Sequence, residues 1–387
     1  MSYPEPKRSF FSAQLANFLK ITLAACLIIW LIRSGSIRFD YLTVSKDHLG
    51  SFLGGILLIF LGMNVGAFRY KELLKGTEIR ISTYNSLKIN FVMYFFIQCV
   101  LGAASGDIAR FFYTVRETGE KPKVGAAIII DRIIGLMGLF VLAGIGILFN
   151  WETVLSSPQL QVLVPPLLAI IYGLWMSSFL GYLSLTRNKK TAITVGSTFS
   201  VLVILICLFS SSNSIKNEVW AAILIAIFGS LLAPIVAPEL LQDGIIYKNF
   251  LSKTKIGSKI GEFTSALLLY RNKPKTIILT AILTAVQHIL LIVSLYFFSQ
   301  SQNLPAIPSF NELFFSSPLA YLAGLIPAPA AGLGVNEAAF ETLLSAISNH
   351  VVYAGASIFL MQRIWITIFS LIGIPFLIRD KSKVIAT

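Results

Sequence analysis

Leu101-Gly102-Ala103-Ala104-Ser105-Gly106-Asp107-Ile108-Ala109-Arg110 is one of two runs whose reading decides the fold. The other is Pro327-Ala328-Pro329-Ala330-Ala331-Gly332-Leu333-Gly334-Val335-Asn336-Glu337. Each follows an apolar segment, passes through small residues or prolines, and then reaches a carboxylate. Such residues cannot continue a lipid-facing helix unchanged. Broken backbone at membrane depth is tolerated only where protein or a water-filled cavity satisfies its polar groups. Two interrupted apolar segments in corresponding places of the two halves point to a transporter's binding site. The plainer alternative is a pair of ordinary loops at the membrane surface. The pairing favours the site, with Gly102, Gly106, Pro327, Pro329, Gly332 and Gly334 as its hinges.

Working outward, the rest of the chain is apolar. Of its 387 residues, 56% are hydrophobic and 13% charged. Apolar runs of roughly 20 residues, enough to cross a bilayer, recur along the whole length. They are continuous rather than alternating, which excludes an outer-membrane barrel. The fold class is therefore all-α, a polytopic integral membrane protein. Lys7 and Arg8 precede an apolar stretch that runs to Ile32 without a small-residue cleavage pattern, so it reads as a retained first helix. Cys26, Cys99 and Cys207 are far apart, in apolar sequence, with neither metal spacing nor a disulfide framework. No cofactor motif is present. His288 beside Gln287 reads as a hydrogen-bonded structural histidine. The net charge of +13 belongs to loops facing an anionic leaflet; no nucleic-acid motif competes with that.

Full spans fall at about 13–32, 50–68, 124–149, 162–184, 191–210, 218–238, 276–299 and 352–378, each near the bilayer-crossing length. Two apolar regions, about 84–105 and 312–347, hold the glycine runs. If both are re-entrant, the eight spans leave both termini on one side. Of the 31 Lys and Arg, 24 then lie in segments on that side and 4 on the other. This asymmetry places both termini in the cytoplasm. The order span, re-entrant hairpin, span occurs twice with opposite orientation, at about 50–149 and 276–378. That is an inverted repeat, with a site expected where the hairpins meet. The basic, amphipathic segment 239–275 between the repeats reads as a helix lying on the inner membrane surface, either recruiting anionic lipid or serving as a topological anchor. Gly62 and Gly66 form a small-xxx-small run for close helix approach.

Ionisable groups at membrane depth cost roughly 2.5–3.5 kcal/mol each on insertion scales and mark function by default. Asp107 and Arg110 lie three residues apart and share a helix face. Asp131 and Arg132 sit early in the third span. Asn336 precedes Glu337, which opens a helix whose N-terminus favours an anion. Arg363 lies deep in the last span beside Gln362. Each is also a candidate for a structural ion pair. Arginine forks match phosphate oxygens, and carboxylates suit a cationic headgroup or a proton. A phospholipid or polyprenyl-phosphate headgroup, its tails left in lipid, uses all of these parts.

In order, these motifs resemble the lysylphosphatidylglycerol synthase transmembrane region, or flippase-like domain proteins. The resemblance covers about residues 10–380. Gly106-Asp107-Ile108-Ala109-Arg110 looks like the family's glycine–aspartate signature, and Asp131-Arg132 like its Asp-Arg pair. Pro327 through Gly334 to Glu337 looks like its proline- and glycine-rich run, and Arg363 matches an arginine of the last long span. Leu101 stands where the family usually has proline, Ser105 and Ala331 where it has glycine, and Asn336 where arginine is common. No segment is long and polar enough to be the soluble aminoacyl-transfer domain of full-length synthases. The resemblance thus implies a protein that moves or presents a membrane lipid. The lipid would be aminoacyl-, glyco- or polyprenyl-linked, and a separate glycosyltransferase or lipid-synthesis enzyme is an expected partner. An integral-membrane headgroup transferase, with the carboxylates as general base, is the alternative; it lacks an evident nucleophile or donor-binding motif.

Overall fold

A computed structural model of the chain describes residues 43–101, 103–161, 269–304, 306–324, 333–348 and 354–378, with 29, 33, 265 and 266 besides. Among these residues every regular element is helical, and Val44 and Gln302 form a lone antiparallel bridge. The principal helices are α1 (Leu49–Gly76), α2 (Thr83–Phe96), α3 (Ala103–Thr118), α4 (Lys121–Phe149), α5 (Trp151–Ser156), α6 (Pro158–Gln161), α7 (Pro274–Ser301), α8 (Phe310–Ala323), α9 (Val335–Ser348) and α10 (Gly355–Ser370).

Among the described residues, four segments are long and apolar enough to cross a membrane: Lys46–Gly76, Lys121–Phe149, Lys275–Ser301 and Gly355–Ile378. They correspond to the expected spans at 50–68, 124–149, 276–299 and 352–378. Large apolar side chains stay exposed along them at helical spacing, Leu53, Leu57 and Leu61 on α1 and Ile278, Ile282, Val286 and Ile289 on α7. A stripe of that size is unfavourable in water and suits contact with lipid. The spans expected at 13–32, 162–184, 191–210 and 218–238, and most of the basic segment 239–275, lie outside the described residues. So do the hinges Gly102, Pro327, Pro329 and Gly332.

One pattern of elements occurs twice along the chain. A 28-residue helix, α1, is followed by a 14-residue helix, a break, a 16-residue helix and the 29-residue α4. Later the 28-residue α7 is followed by a 14-residue helix, a break, another 14-residue helix and α10. The two breaks differ in backbone. After α2 the helix widens into a π turn over Ile97–Leu101. After α8 the chain re-enters a helix through a turn at Leu333 and Gly334.

The chain divides into two compact units. One comprises Met1–Phe60, Phe91–Ala109 and Leu291–Thr387; the other comprises Leu61–Asn90 and Arg110–Leu290. In the first, α9 packs on α8 and on α10, with the Phe359 ring 5.1 Å from Phe340 and 5.2 Å from Tyr321. Ser309 caps α8 reciprocally with Glu312 (Ser309 N–H to Glu312 Oε2, 2.7 Å), satisfying two otherwise orphan amides. Ser105 donates to the Phe96 carbonyl at 2.7 Å, filling an acceptor at the end of α2. Gly106 gives the close approach there, since a Cβ would meet the Ile97 side chain and lie 3.1 Å from the Met93 carbonyl.

In the second unit, Tyr70, Leu73, Leu74, Ile79, Ile89, Val124, Ala127 and Ile128 form an apolar core. The end of α1 explains its position. Glu78 takes a left-handed conformation (φ 69°), and Ile79 N–H returns to the Leu74 carbonyl at 3.0 Å and Glu78 N–H to Lys75 at 3.1 Å. This is a Schellman stop, with Ile79 and Leu74 as its apolar contact. Tyr270 donates to the Leu73 carbonyl at 2.6 Å. Burial, helped by the nearby Asp131 charge, pushes its phenol well above the usual range, so it stays a donor.

Candidate functional site

Among the described residues, buried charge gathers in two places, one in each unit. In the second unit the centre is Asp131, the eleventh residue of α4 and about 15 Å along its axis at 1.5 Å per residue. Arg69, from α1, donates to Asp131 through a fork: Nε to Oδ1 at 2.7 Å and Nη2 to Oδ2 at 3.1 Å. Arg110, from α3, donates Nη1 to Oδ2 at 2.7 Å. All three side chains are buried. Bidentate arginine–carboxylate bonds are the strong, directional kind, and low dielectric raises what is lost if one partner goes.

Each guanidinium also has an uncharged support. Arg69 Nη1 donates to Gln287 Oε1 at 3.0 Å and to Thr284 Oγ1 at 3.3 Å, both on α7. The Arg110 guanidinium lies 4.3 Å over the centre of the Tyr70 ring, a cation–π contact. The Tyr70 hydroxyl is in turn bonded to Thr114 at 2.9 Å, and Thr114 donates back to the Arg110 carbonyl at 2.7 Å. Close helix approach makes this reach feasible: a Cβ on Gly66 would lie 3.2 Å from Gln287 Nε2. His288 Nε2 is 3.1 Å from the Gly135 carbonyl, the structural role read from the sequence.

In the first unit the centre is Glu337, fully buried in the first turn of α9. Its Oε2 accepts from the Gly334 N–H at 2.7 Å, and its Oε1 lies 3.0 Å from Arg363 Nη1 on α10. Gly334 holds φ at +85°, a conformation that only glycine takes without strain. One turn on, Glu341 accepts from the Ala356 N–H at 2.8 Å, so a carboxylate of α9 satisfies an amide at the start of α10. Asn336 is buried against Gly324. Gln362, beside Arg363, donates to the Leu291 carbonyl and to Ser294 Oγ, each at 2.7 Å, and accepts from Tyr321 at 2.6 Å.

Most sequence-derived candidates thus fall into one of two clusters. Arg110 and Asp131 meet in one; Asn336, Glu337 and Arg363 lie in the other, two of them paired. Asp107 is half-buried on α3, and Arg132 is exposed, so the adjacent Asp131 and Arg132 part company. The sequence reading missed Arg69. It ends the second span at 68 and counts Arg69 among the cytoplasmic loop charges, whereas α1 continues to Gly76 and buries it. The signal was available: Arg69 lies three residues beyond Gly66, on the close-approach face of the helix. Gln287 and Thr284 carried no signal of their own, being neutral residues in an apolar span.

No curated protein and no solved structure matches the chain. With its spanning helices, the protein is a multi-pass membrane protein. Every helix from α1 to α10 falls within one family match: the chain belongs to the lysylphosphatidylglycerol synthase TM region family, whose model matches residues 17–373.

Proposed function

We propose that the protein is a lipid flippase of the cytoplasmic membrane, passing the phosphate-bearing headgroup of an aminoacyl-, glyco- or polyprenyl-linked lipid from one leaflet to the other. The observation that carries this reading is the pairing of broken helices with buried charge. Each helix that follows a break, α3 and α9, sends a charged side chain to the membrane-capable helix after it: Arg110 to Asp131 and Glu337 to Arg363. Charges are costly at such depth and are kept where a polar solute passes, and interrupted helices are where transporters bind their substrates. In this reading the two broken segments are re-entrant and oppositely oriented, eight helices span fully, and both termini are cytoplasmic. Family membership supports it, because flippase-like proteins are common in the family. A lipid-linked glycan would connect the protein to a separate glycosyltransferase.

The test is reconstitution of the full chain into vesicles carrying fluorescent anionic, aminoacyl or polyprenyl-phosphate lipids. Protection of the label from a membrane-impermeant quencher reports translocation. At least one lipid class should cross faster with protein, and Arg110→Ala and Glu337→Gln should each slow it. Rates equal to those of protein-free vesicles for every lipid would overturn the reading.

A further inference from the structure

Resting on that reading, we infer that Asp131 is a built-in occupant of a phosphate site, and that Arg69 and Arg110 are the residues that take the phosphate when Asp131 gives way. Two guanidinium groups from different helices converge on one carboxylate. Together they supply three donors within 3.1 Å of its two oxygens. A phosphate group offers acceptor oxygens in the same fork geometry. Where the same donors serve an internal carboxylate and an external phosphate, the two compete for one place.

What separates this from a purely structural ion pair is how the arginines are held. In a simple pair, loss of the carboxylate frees the guanidinium to swing. Here Arg69 is also held by Gln287 and Thr284, and Arg110 by the face of Tyr70. Neither support involves Asp131, and neither carries a formal charge. The forks therefore keep their positions when Asp131 leaves them, which is the preorganisation that tight binding requires. Arg110 also sits on the helix that follows the first break, four residues beyond the close-packed Gly106.

The competition predicts an inverted mutational effect. Asp131→Asn keeps an acceptor oxygen and removes the charge. In the detergent-solubilised full chain it should bind phosphatidic acid about tenfold more tightly than the wild type, the size expected when charge-assisted hydrogen bonds are released to a ligand. Diacylglycerol, which has the same tails without phosphate, should bind both proteins alike. Inorganic phosphate forms the third arm. A gain confined to phosphatidic acid makes the ligand a lipid phosphate, and a gain for inorganic phosphate as well makes it the phosphate group from either source. Unchanged or weaker binding of both phosphates by Asp131→Asn overturns the inference.

If Asp131→Asn does not fold, Arg69→Lys decides instead. It keeps the charge and loses the fork, so phosphatidic acid binding should fall about tenfold with diacylglycerol binding unchanged; equal loss of both overturns the inference. Binding is read without translocation. Phosphate binding that obeys these rules in a protein that moves no lipid refutes only the flippase reading. Translocation that persists while the variants bind phosphate as the wild type does refutes only this inference.

Discussion

The two charge clusters join corresponding elements with opposite polarity. In the first, the helix after the break contributes the cation, Arg110, and the following long helix the anion, Asp131. In the second, the helix after the break contributes the anion, Glu337, and α10 the cation, Arg363. They also differ in who holds the carboxylate. Asp131 is held by two arginines from other helices, whereas Glu337 is held on one side by Gly334, the residue just ahead of its own helix. The first cluster is a pair of preset forks around a removable anion. The second is an anion fixed by its own backbone, with an arginine brought up to it. Similar chemistry on matching elements thus yields a carboxylate clasped by two arginines in one unit and a helix-capping carboxylate in the other.

The strongest test removes each carboxylate. Asp131→Ala strips both arginines of their shared partner and should cost about 3–5 kcal/mol, the usual loss on breaking a buried pair. Glu337→Ala deserts one arginine and one amide and should cost less. Thermal or denaturant unfolding in detergent measures both, and equal losses would erase the distinction. Next in size, a double-mutant cycle on Glu337→Gln and Arg363→Gln should give a coupling of about 1–3 kcal/mol. A coupling near zero would show that the 3.0 Å contact between them carries no energy.

The breaks can be compared through their glycines. Gly106→Ala should cost about 1–3 kcal/mol by overpacking, and Ile97→Ala should recover much of it, because the obstruction is mainly a side chain. Gly334→Ala should cost about 1–3 kcal/mol through its positive φ, and no neighbouring substitution should rescue it. Rescue of both by trimming neighbours would make the two breaks alike. The smallest effect expected is that of Thr284→Val, about 1 kcal/mol, since its bond to Arg69 is long at 3.3 Å and worth no more than an ordinary hydrogen bond. It should loosen Arg69, and its cost should simply add to that of a Glu337 variant.

The chain's helical, membrane-embedded class was legible because bilayer thickness sets a length that apolar runs either meet or miss, and α1, α4, α7 and α10 meet it. The breaks were legible because glycine and proline change what the backbone can do. Glu337 at the start of α9 followed from the preference of helix N-termini for anions. Partner choice was harder to read. Asp107 and Arg110 share a helix face, and their spacing proposed each to the other; Arg110 reaches 21 residues ahead to Asp131, a partner that spacing did not propose. That choice depends on how α3 is rotated against α4, which local spacing does not encode. Arg69 was hidden by a boundary: an arginine at the end of an apolar run looks the same whether it snorkels to water or turns inward.

The turn at Gly334 makes the start of α9 depend on one side chain. Glu337 Oε2 belongs to the Gly334 amide, so a Glu337 side chain that turned aside would uncap α9. Whatever draws that carboxylate away loosens the coil it starts, and a chemical event on one side chain becomes a mechanical one along fourteen residues.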